Sequence, residues 1–264
     1  MLKKRIVPKL LIKNKTYGLL VRPILVVTQN FEQVFEVGDP IFQAKVYEAQ
    51  LADELIVLNI DSLPIAEDST LLDVIEKLAS ETFMPITVGG GVRELADFSL
   101  LLERGADKVS INAAAVSNPD LITRAAERFG SQCVVVSIDF RYDAVRQQNV
   151  VFTHKASFNT GLEVMAWAQQ ASIAGAGEIL LTDAERDGQG VGLNIAVGRE
   201  VADTVDVPVI LSGGCSLAQH FIEGFQEGGA EAIAAGTFFC FKDQNPMQTR
   251  AHVRSAGIPI RLGT

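Results

Sequence analysis

Short apolar runs alternate with longer amphipathic segments along the whole chain, and the alternation passes through eight cycles. Near-continuous apolar runs are typical of parallel strands covered by helices, and the longer segments have the spacing of helices that pack on a core. The pattern predicts strands at residues 5–11, 54–60, 84–88, 107–112, 133–139, 178–182, 207–212 and 231–236. It predicts helices at residues 40–51, 71–82, 94–104, 119–129, 160–174, 193–204, 217–227 and 247–256.

Eight strand–helix cycles in a chain of 264 residues match the size of a (β/α)8 TIM barrel. We therefore predict an α/β fold in which residues 1–264 form one barrel domain. Alternation alone also fits a doubly wound open sheet, so this architecture is the competing interpretation.

An internal repeat favours the closed barrel. The stretch PITVGGGVR at 85–93 recurs in outline as PVILSGGC at 208–215, and two shorter stretches, at 52–55 and 105–107, recur at 176–179 and 229–231. All three pairs lie 123 to 124 residues apart. One common spacing predicts two half-barrels related by an approximate two-fold axis. It also makes Leu11 the counterpart of Asp139, to within a few residues.

Two glycine-rich turns leave strands where a barrel carries its working face. Glycine lets the backbone approach an anion closely, and the free N–H groups of a following helix point at that anion. An isolated pair of glycines could simply end a strand, but the repetition favours two phosphate sites on opposite sides of the barrel. The predicted phosphate-binding residues are Gly89, Gly90, Gly91, Asn112, Ser212, Gly213, Gly214 and Gly236.

Four charged residues stand at the starts of predicted strands: Arg5, Glu54, Lys108 and Glu178. They could be solvated strand ends. If they point into the barrel, they must pair with one another, because a lone buried charge is very costly.

Composition excludes several classes of function. A net charge of −9 without a basic run argues against nucleic acid as a partner, and no apolar run reaches the ~20 residues of a membrane span. Three cysteines and three histidines lie far apart, which predicts no disulfide framework and no metal site. We expect a cytoplasmic protein with no metal and no cofactor.

Five long motifs together indicate a known family: PITVGGGVR, GADKVSINAAAVSNP, ITRAAERFGSQCVVVSID, GAGEILLTDAERDGQG and VPVILSGG. With them the chain closely resembles the HisF-like cyclase subunit of imidazole glycerol phosphate synthase, from KRIVP near the start to GIPIRL near the end. The resemblance implies a (β/α)8 barrel that takes ammonia from a class-I glutaminase partner. It implies a phosphorylated small-molecule substrate, a ribulosyl compound with two phosphates, which is closed to an imidazole with release of an aminoimidazole ribotide.

The resemblance also implies a pair of catalytic aspartates, one ending the first strand and one ending the fifth. Two carboxylates suit a reaction that moves protons at two places. Asp139 is present on the fifth strand. In the family the first-strand acid stands in a C-L-D-like motif, but here the sequence is Lys9-Leu10-Leu11, so that Leu11 replaces the acid. Asp187 is the second surviving site acid that we predict.

Two further departures from the family pattern follow the first two strands. A position that is usually acidic after the second strand reads Asn59, and Asp61 could substitute for a lost acid only if geometry allows. The segment 16–37 is longer and more apolar than the loop that closes over substrate in the family.

The four strand-start charges match the charged gate through which ammonia enters such barrels, and a glutaminase would dock there, around Asp107, Lys108 and Glu178. With Leu10-Leu11 in place of Leu-Asp, the chain resembles the paralogues associated with sugar amidation in surface polysaccharide (O-antigen) clusters, and this resemblance implies a sugar amidotransferase as a further partner. A gate that is retained beside a lost acid agrees with that interpretation. An authentic histidine-pathway cyclase that tolerates Leu11 and a non-catalytic glutaminase-docking module are the alternatives.

Overall fold

Eight parallel strands close into a barrel in the computed structural model, which describes residues 3–61, 63–242 and 244–261. The strands, in chain order, are β1 (Arg5–Tyr17), β2 (Leu20–Gln29), β3 (Gln33–Gly38), β4 (Leu55–Asn59), β5 (Ile86–Gly89), β6 (Lys108–Ile111), β7 (Val134–Asp143), β8 (Gln148–Thr153), β9 (Phe158–Glu163), β10 (Glu178–Asp183), β11 (Val209–Ser212) and β12 (Ala232–Ala235). The barrel order is β1, β4, β5, β6, β7, β10, β11, β12, and β12 pairs in parallel with β1. This closure confirms the predicted (β/α)8 barrel and excludes the open sheet.

Ten helices lie in the described ranges, most of them between successive barrel strands. They are α1 (Pro40–Ala49), α2 (Ser69–Glu81), α3 (Leu95–Glu103), α4 (Ala113–Ser117), α5 (Asp120–Phe129), α6 (Val164–Ala174), α7 (Ile195–Thr204), α8 (Ala218–Gln226), α9 (Thr237–Phe241) and α10 (Pro246–Ser255). Local chemistry sets their ends: Asp39 caps α1 by accepting from the N–H of Phe42, and α6 stops at Gly175, which is left-handed. In the described part of the chain no helix is both long and apolar enough to cross a membrane.

Two antiparallel hairpins are absent from the sequence prediction. Beyond the barrel, β1 continues to Tyr17 and pairs with β2, which pairs with β3, so that most of the segment 16–37 is strand and not loop. The fifth barrel strand, β7, is extended in the same way by β8 and β9. The hairpins follow the first and fifth barrel strands, in agreement with the half-barrel repeat.

The predicted helix 160–174 is wrong at its start. Residues 160–163 belong to β9, and Gly161 there has a φ of 76°, which a helix does not allow. The helix begins at Val164 because the Glu163 carboxylate accepts the backbone N–H groups of Met165 and Ala166. The short helices α4 and α9 were also not predicted, and each begins directly after a predicted phosphate residue, Asn112 or Gly236.

Two cores hold the barrel together. The larger one lies between the strands and the helices, and the smaller one fills the barrel interior with Val7, Ile56, Val135, Leu180, Ile210, Ala232 and Ala234. Alternate residues of β1 therefore face the interior in the order Arg5, Val7, Lys9, Leu11. The apolar layer at Val7 separates a charged end of the barrel from an open mouth.

Candidate active site

A cavity of about 770 Å³ opens at the carboxyl ends of the barrel strands, where this fold carries its working face. Side chains from several strands and their following loops line it, among them Lys9, Leu11, Asn112, Asp139 and Asp187. The structure thus brings together the two predicted site acids and the leucine that replaces the third. Ser110, Ser137 and Thr182 line it as well.

Asp139 is buried at the end of its barrel strand and accepts a hydrogen bond from the side-chain amide of Asn112 at 2.7 Å. Burial raises the pKa of Asp139 to about 7, against the lowering effect of Lys9 and of the Asn112 bond and with the raising effect of Asp187. A carboxyl group that titrates near neutral pH can both accept and donate a proton. The buried Oδ1 of Asn112 has no donor among the described residues, so it is free to accept from a bound molecule.

The pKa of Asp139 makes a prediction about stability. An acid whose folded pKa lies above its unfolded value loses stability as pH rises from about 4 through about 7, because the unfolded chain releases its proton first. Replacing Asp139 by asparagine should therefore stabilise the protein at pH 8.5 by up to roughly 4 kcal/mol, and the gain should vanish near pH 4. Urea unfolding at both pH values measures the difference. A gain of equal size at both would contradict the assigned pKa.

Lys9 is the site residue that sequence reasoning missed. Its ammonium is buried, donates to Ser212 Oγ at 3.0 Å and lies 3.6 Å from Asp187 Oδ1. Asp187 is also buried, and its other oxygen accepts from the Thr28 hydroxyl at 2.6 Å. The available signal was its spacing: Lys9 lies two residues before Leu11, and in a strand such residues share a face.

The two polar residues at and just after the end of the second barrel strand, Asn59 and Asp61, also line the cavity. The Asp61 carboxylate accepts the backbone N–H of Asn14 at 2.6 Å, and the Asn59 amide donates to Asp68 at 2.9 Å. Asp68 in turn caps α2 by accepting from the N–H of Leu71. Both side chains are therefore engaged in holding local structure.

The two glycine turns have matching geometry. Gly90 and Gly213 have φ values of 90° and 91°, and a Cβ on either would lie 1.9 or 2.5 Å from the carbonyl oxygen of Asn59 or Asp183. Only glycine fits such a close approach. The first turn lines the large cavity together with Asn112, and the second lines a smaller pocket with Gly236 and Lys9.

The four strand-start charges point inward at the opposite end and form a closed ring. Arg5 pairs with Glu54 at 2.9 Å and with Glu178 at 2.7 Å, and Lys108 contacts the same two carboxylates at 3.0 and 2.9 Å. Burial alone would lower the pKa of Arg5 and raise that of Glu54, but the opposite charges outweigh it in both cases. They are therefore mutually paired charges and not solvated strand ends.

Comparison with known proteins gives one family. A family model described as histidine biosynthesis protein matches residues 5–244. A relative from Prochlorococcus marinus (strain MIT 9313), named putative imidazole glycerol phosphate synthase subunit hisF2, is 46% identical over 266 residues, which cover 99% of this chain and 99% of the relative. A second, imidazole glycerol phosphate synthase subunit HisF of Geobacillus kaustophilus (strain HTA426), is 43% identical over 261 residues, which cover 99% of this chain and all of the relative.

The matches run through both ends of the barrel, so they include the glycine turns, the charged ring and the strand that carries Leu11. The chain belongs to the histidine biosynthesis protein family and is HisF-like within it.

Proposed function

We propose that this chain is the ammonia-handling subunit of a synthase whose class-I glutaminase partner delivers ammonia to the ring of Arg5, Glu54, Lys108 and Glu178. One observation carries the proposal: the ring is complete and fully paired, while the cavity at the other end lacks the acid that Leu11 replaces. An intact ammonia entrance, beside a cavity that lacks one acid needed to close the imidazole, favours transfer of nitrogen to another acceptor. We assign the chain to sugar amidation in surface polysaccharide biosynthesis, with a sugar amidotransferase downstream.

The barrel interior suits the passage of ammonia. Apolar side chains of the inner core lie between the charged ring and the cavity, and they favour neutral ammonia over ammonium because an unpaired ion is very costly there. In this proposal ammonia moves along β1, from Arg5 past Val7 to Lys9. In the same proposal the glycine turns hold the phosphates of a ligand at the cavity, and Asp139 and Asp187 are its remaining acids.

A second candidate function has support of its own. The HisF relative covers the whole chain at 43% identity, and Asp139 stands in the cavity with a pKa near neutrality. An authentic cyclase of histidine biosynthesis would need another group to do the work of the lost acid. The third candidate, a glutaminase-docking module without a ligand, is opposed by the two matched glycine turns.

Genetic complementation separates these candidates. The gene for this chain should not restore growth without histidine to a strain that lacks its cyclase, whereas the gene for the Geobacillus relative serves as positive control. The purified chain should nevertheless raise glutamine hydrolysis by its class-I glutaminase. Growth at the control's rate would establish the cyclase, and absence of any effect on the glutaminase would overturn the ammonia-handling proposal.

A further inference from the structure

Lys9 occupies an unusual place for a lysine. Its side chain points into the barrel, one pleat above the apolar layer at Val7 and one below Leu11, about 7 Å along the strand from either. Only 6% of the residue is exposed. A buried ammonium is costly unless it is paired, and packing would be satisfied by an apolar residue of similar length. The charge itself therefore needs an explanation.

The surroundings of the Lys9 ammonium are those of an ammonium-binding site. The Ser212 hydroxyl accepts its hydrogen bond at 3.0 Å, and Asp187 supplies a carboxylate oxygen at 3.6 Å. Asp139 lies close enough for the charge of Lys9 to lower its pKa. A free ammonium ion carries the same –NH₃⁺ donors as the lysine head group and would find the same acceptors there.

We propose that Lys9 is a specificity-determining residue whose head group fills an ammonium site at the inner end of the cavity. Nitrogen that leaves the apolar interior passes this place first. With Lys9 present, the oxygens of Asp187 and Ser212 are already engaged, and a further cation is repelled. Ammonia then enters the cavity as the neutral nucleophile and is not retained as an ion. This inference deepens the proposed function and rests on it.

The test is an ammonium titration of the isolated chain, with the ¹³C side-chain carboxyl signals of Asp139 and Asp187 followed by NMR. Asp139→Asn and Asp187→Asn variants assign the two signals. Sodium chloride and tetramethylammonium chloride at equal ionic strength are the control salts, because neither cation donates hydrogen bonds. In the unmodified chain, ammonium chloride should shift these signals no more than the control salts do.

Two substitutions separate the charge of Lys9 from the space it fills. Lys9→Ala opens the site and should give a saturable, ammonium-specific shift. Lys9→Met removes the charge but keeps the space filled, so it should bind ammonium about tenfold or more weakly than Lys9→Ala, since a hydrogen bond to a charged group is worth more than one tenfold step. Thermal melting establishes that both variants fold.

An ammonium-specific shift in the unmodified chain would overturn the proposal even if neither variant folds. A folded Lys9→Ala variant that does not respond to ammonium would also overturn it, and Lys9 would then only fix the position of Asp187. These readouts need neither glutaminase nor substrate. Failure of this inference is therefore distinguishable from failure of the proposed function, which complementation and glutaminase stimulation decide.

Discussion

The unmodified chain should close the imidazole ring at least ~100-fold more slowly than a cyclase with both acids, and Leu11→Asp should raise that rate. A placed acid or base typically contributes about 10²–10⁴-fold, and Leu11 has no proton to transfer. Asp139 already stands in the same cavity, so that a carboxylate at position 11 would complete a pair. The measurement is turnover of the two-phosphate ribulosyl compound with ammonium chloride as nitrogen donor.

Leu11→Asn is the matched control, because asparagine has the shape of aspartate without its acid. The double variant Lys9→Cys/Leu11→Asp restores the C-L-D pattern at positions 9–11 and should gain more activity than Leu11→Asp alone, because the Lys9 ammonium would otherwise lower the pKa of the new carboxyl group and hold it ionised. Calorimetry with the same compound establishes that the ligand binds in each variant. Ordinary enzymatic turnover by the unmodified chain would show that Leu11 is no lesion and that the cyclase candidate is right.

Reversal of one ring charge, Lys108→Glu, should destabilise the protein by at least ~3–5 kcal/mol and abolish stimulation of the glutaminase. The substitution would place three carboxylates around Arg5 at the buried end of the barrel. Urea unfolding and glutamine hydrolysis measure the two effects. Arg199→Glu is the control, because Arg199 pairs with Asp203 on an exposed helix face, where such a pair is worth about 1 kcal/mol or less.

The stability of the protein should depend on the alternation of positive and negative charges around the ring and not on the net charge of the ring. Exchanging the two residues, Lys108→Glu/Glu178→Lys, keeps the sum at zero but sets Glu54 beside a carboxylate and Arg5 beside an ammonium. This variant should remain destabilised. Full stability and full glutaminase stimulation in both the single and the double variant would mean that the ring serves neither folding nor ammonia entry.

The barrel could be predicted from sequence because each of its strands is buried on both faces. Such strands appear as apolar runs whatever their neighbours are. Each of the eight predicted strands starts within three residues of the start of the observed barrel strand. The hairpins could not be predicted in this way. Their ends are solvated, so β3 has exposed residues at nearly every position and no run to detect.

The residues of the candidate site also divide into those that the sequence predicts and one that it does not. The glycine turns and Asp139 were predicted because a motif or a strand end marks them. Lys9 was not, because its one sequence signal, the two-residue spacing from Leu11, identifies it only once Leu11 is known to face the barrel interior. A lysine in an apolar run looks like an interruption of the strand, and only the folded structure shows that Lys9 lines the cavity and bonds Ser212, 203 residues away in sequence.

The first hairpin and the loop that bears Asp187 are fastened to each other. The Asn30 N–H donates to the Asp187 carbonyl at 2.8 Å, the Thr28 hydroxyl holds its carboxylate, and Gly188 lies so close that a Cβ would be 2.2 Å from the Thr28 carbonyl oxygen. The first hairpin thus helps to fix the position of Asp187. A ligand that displaces the turn of this hairpin should therefore also move Asp187.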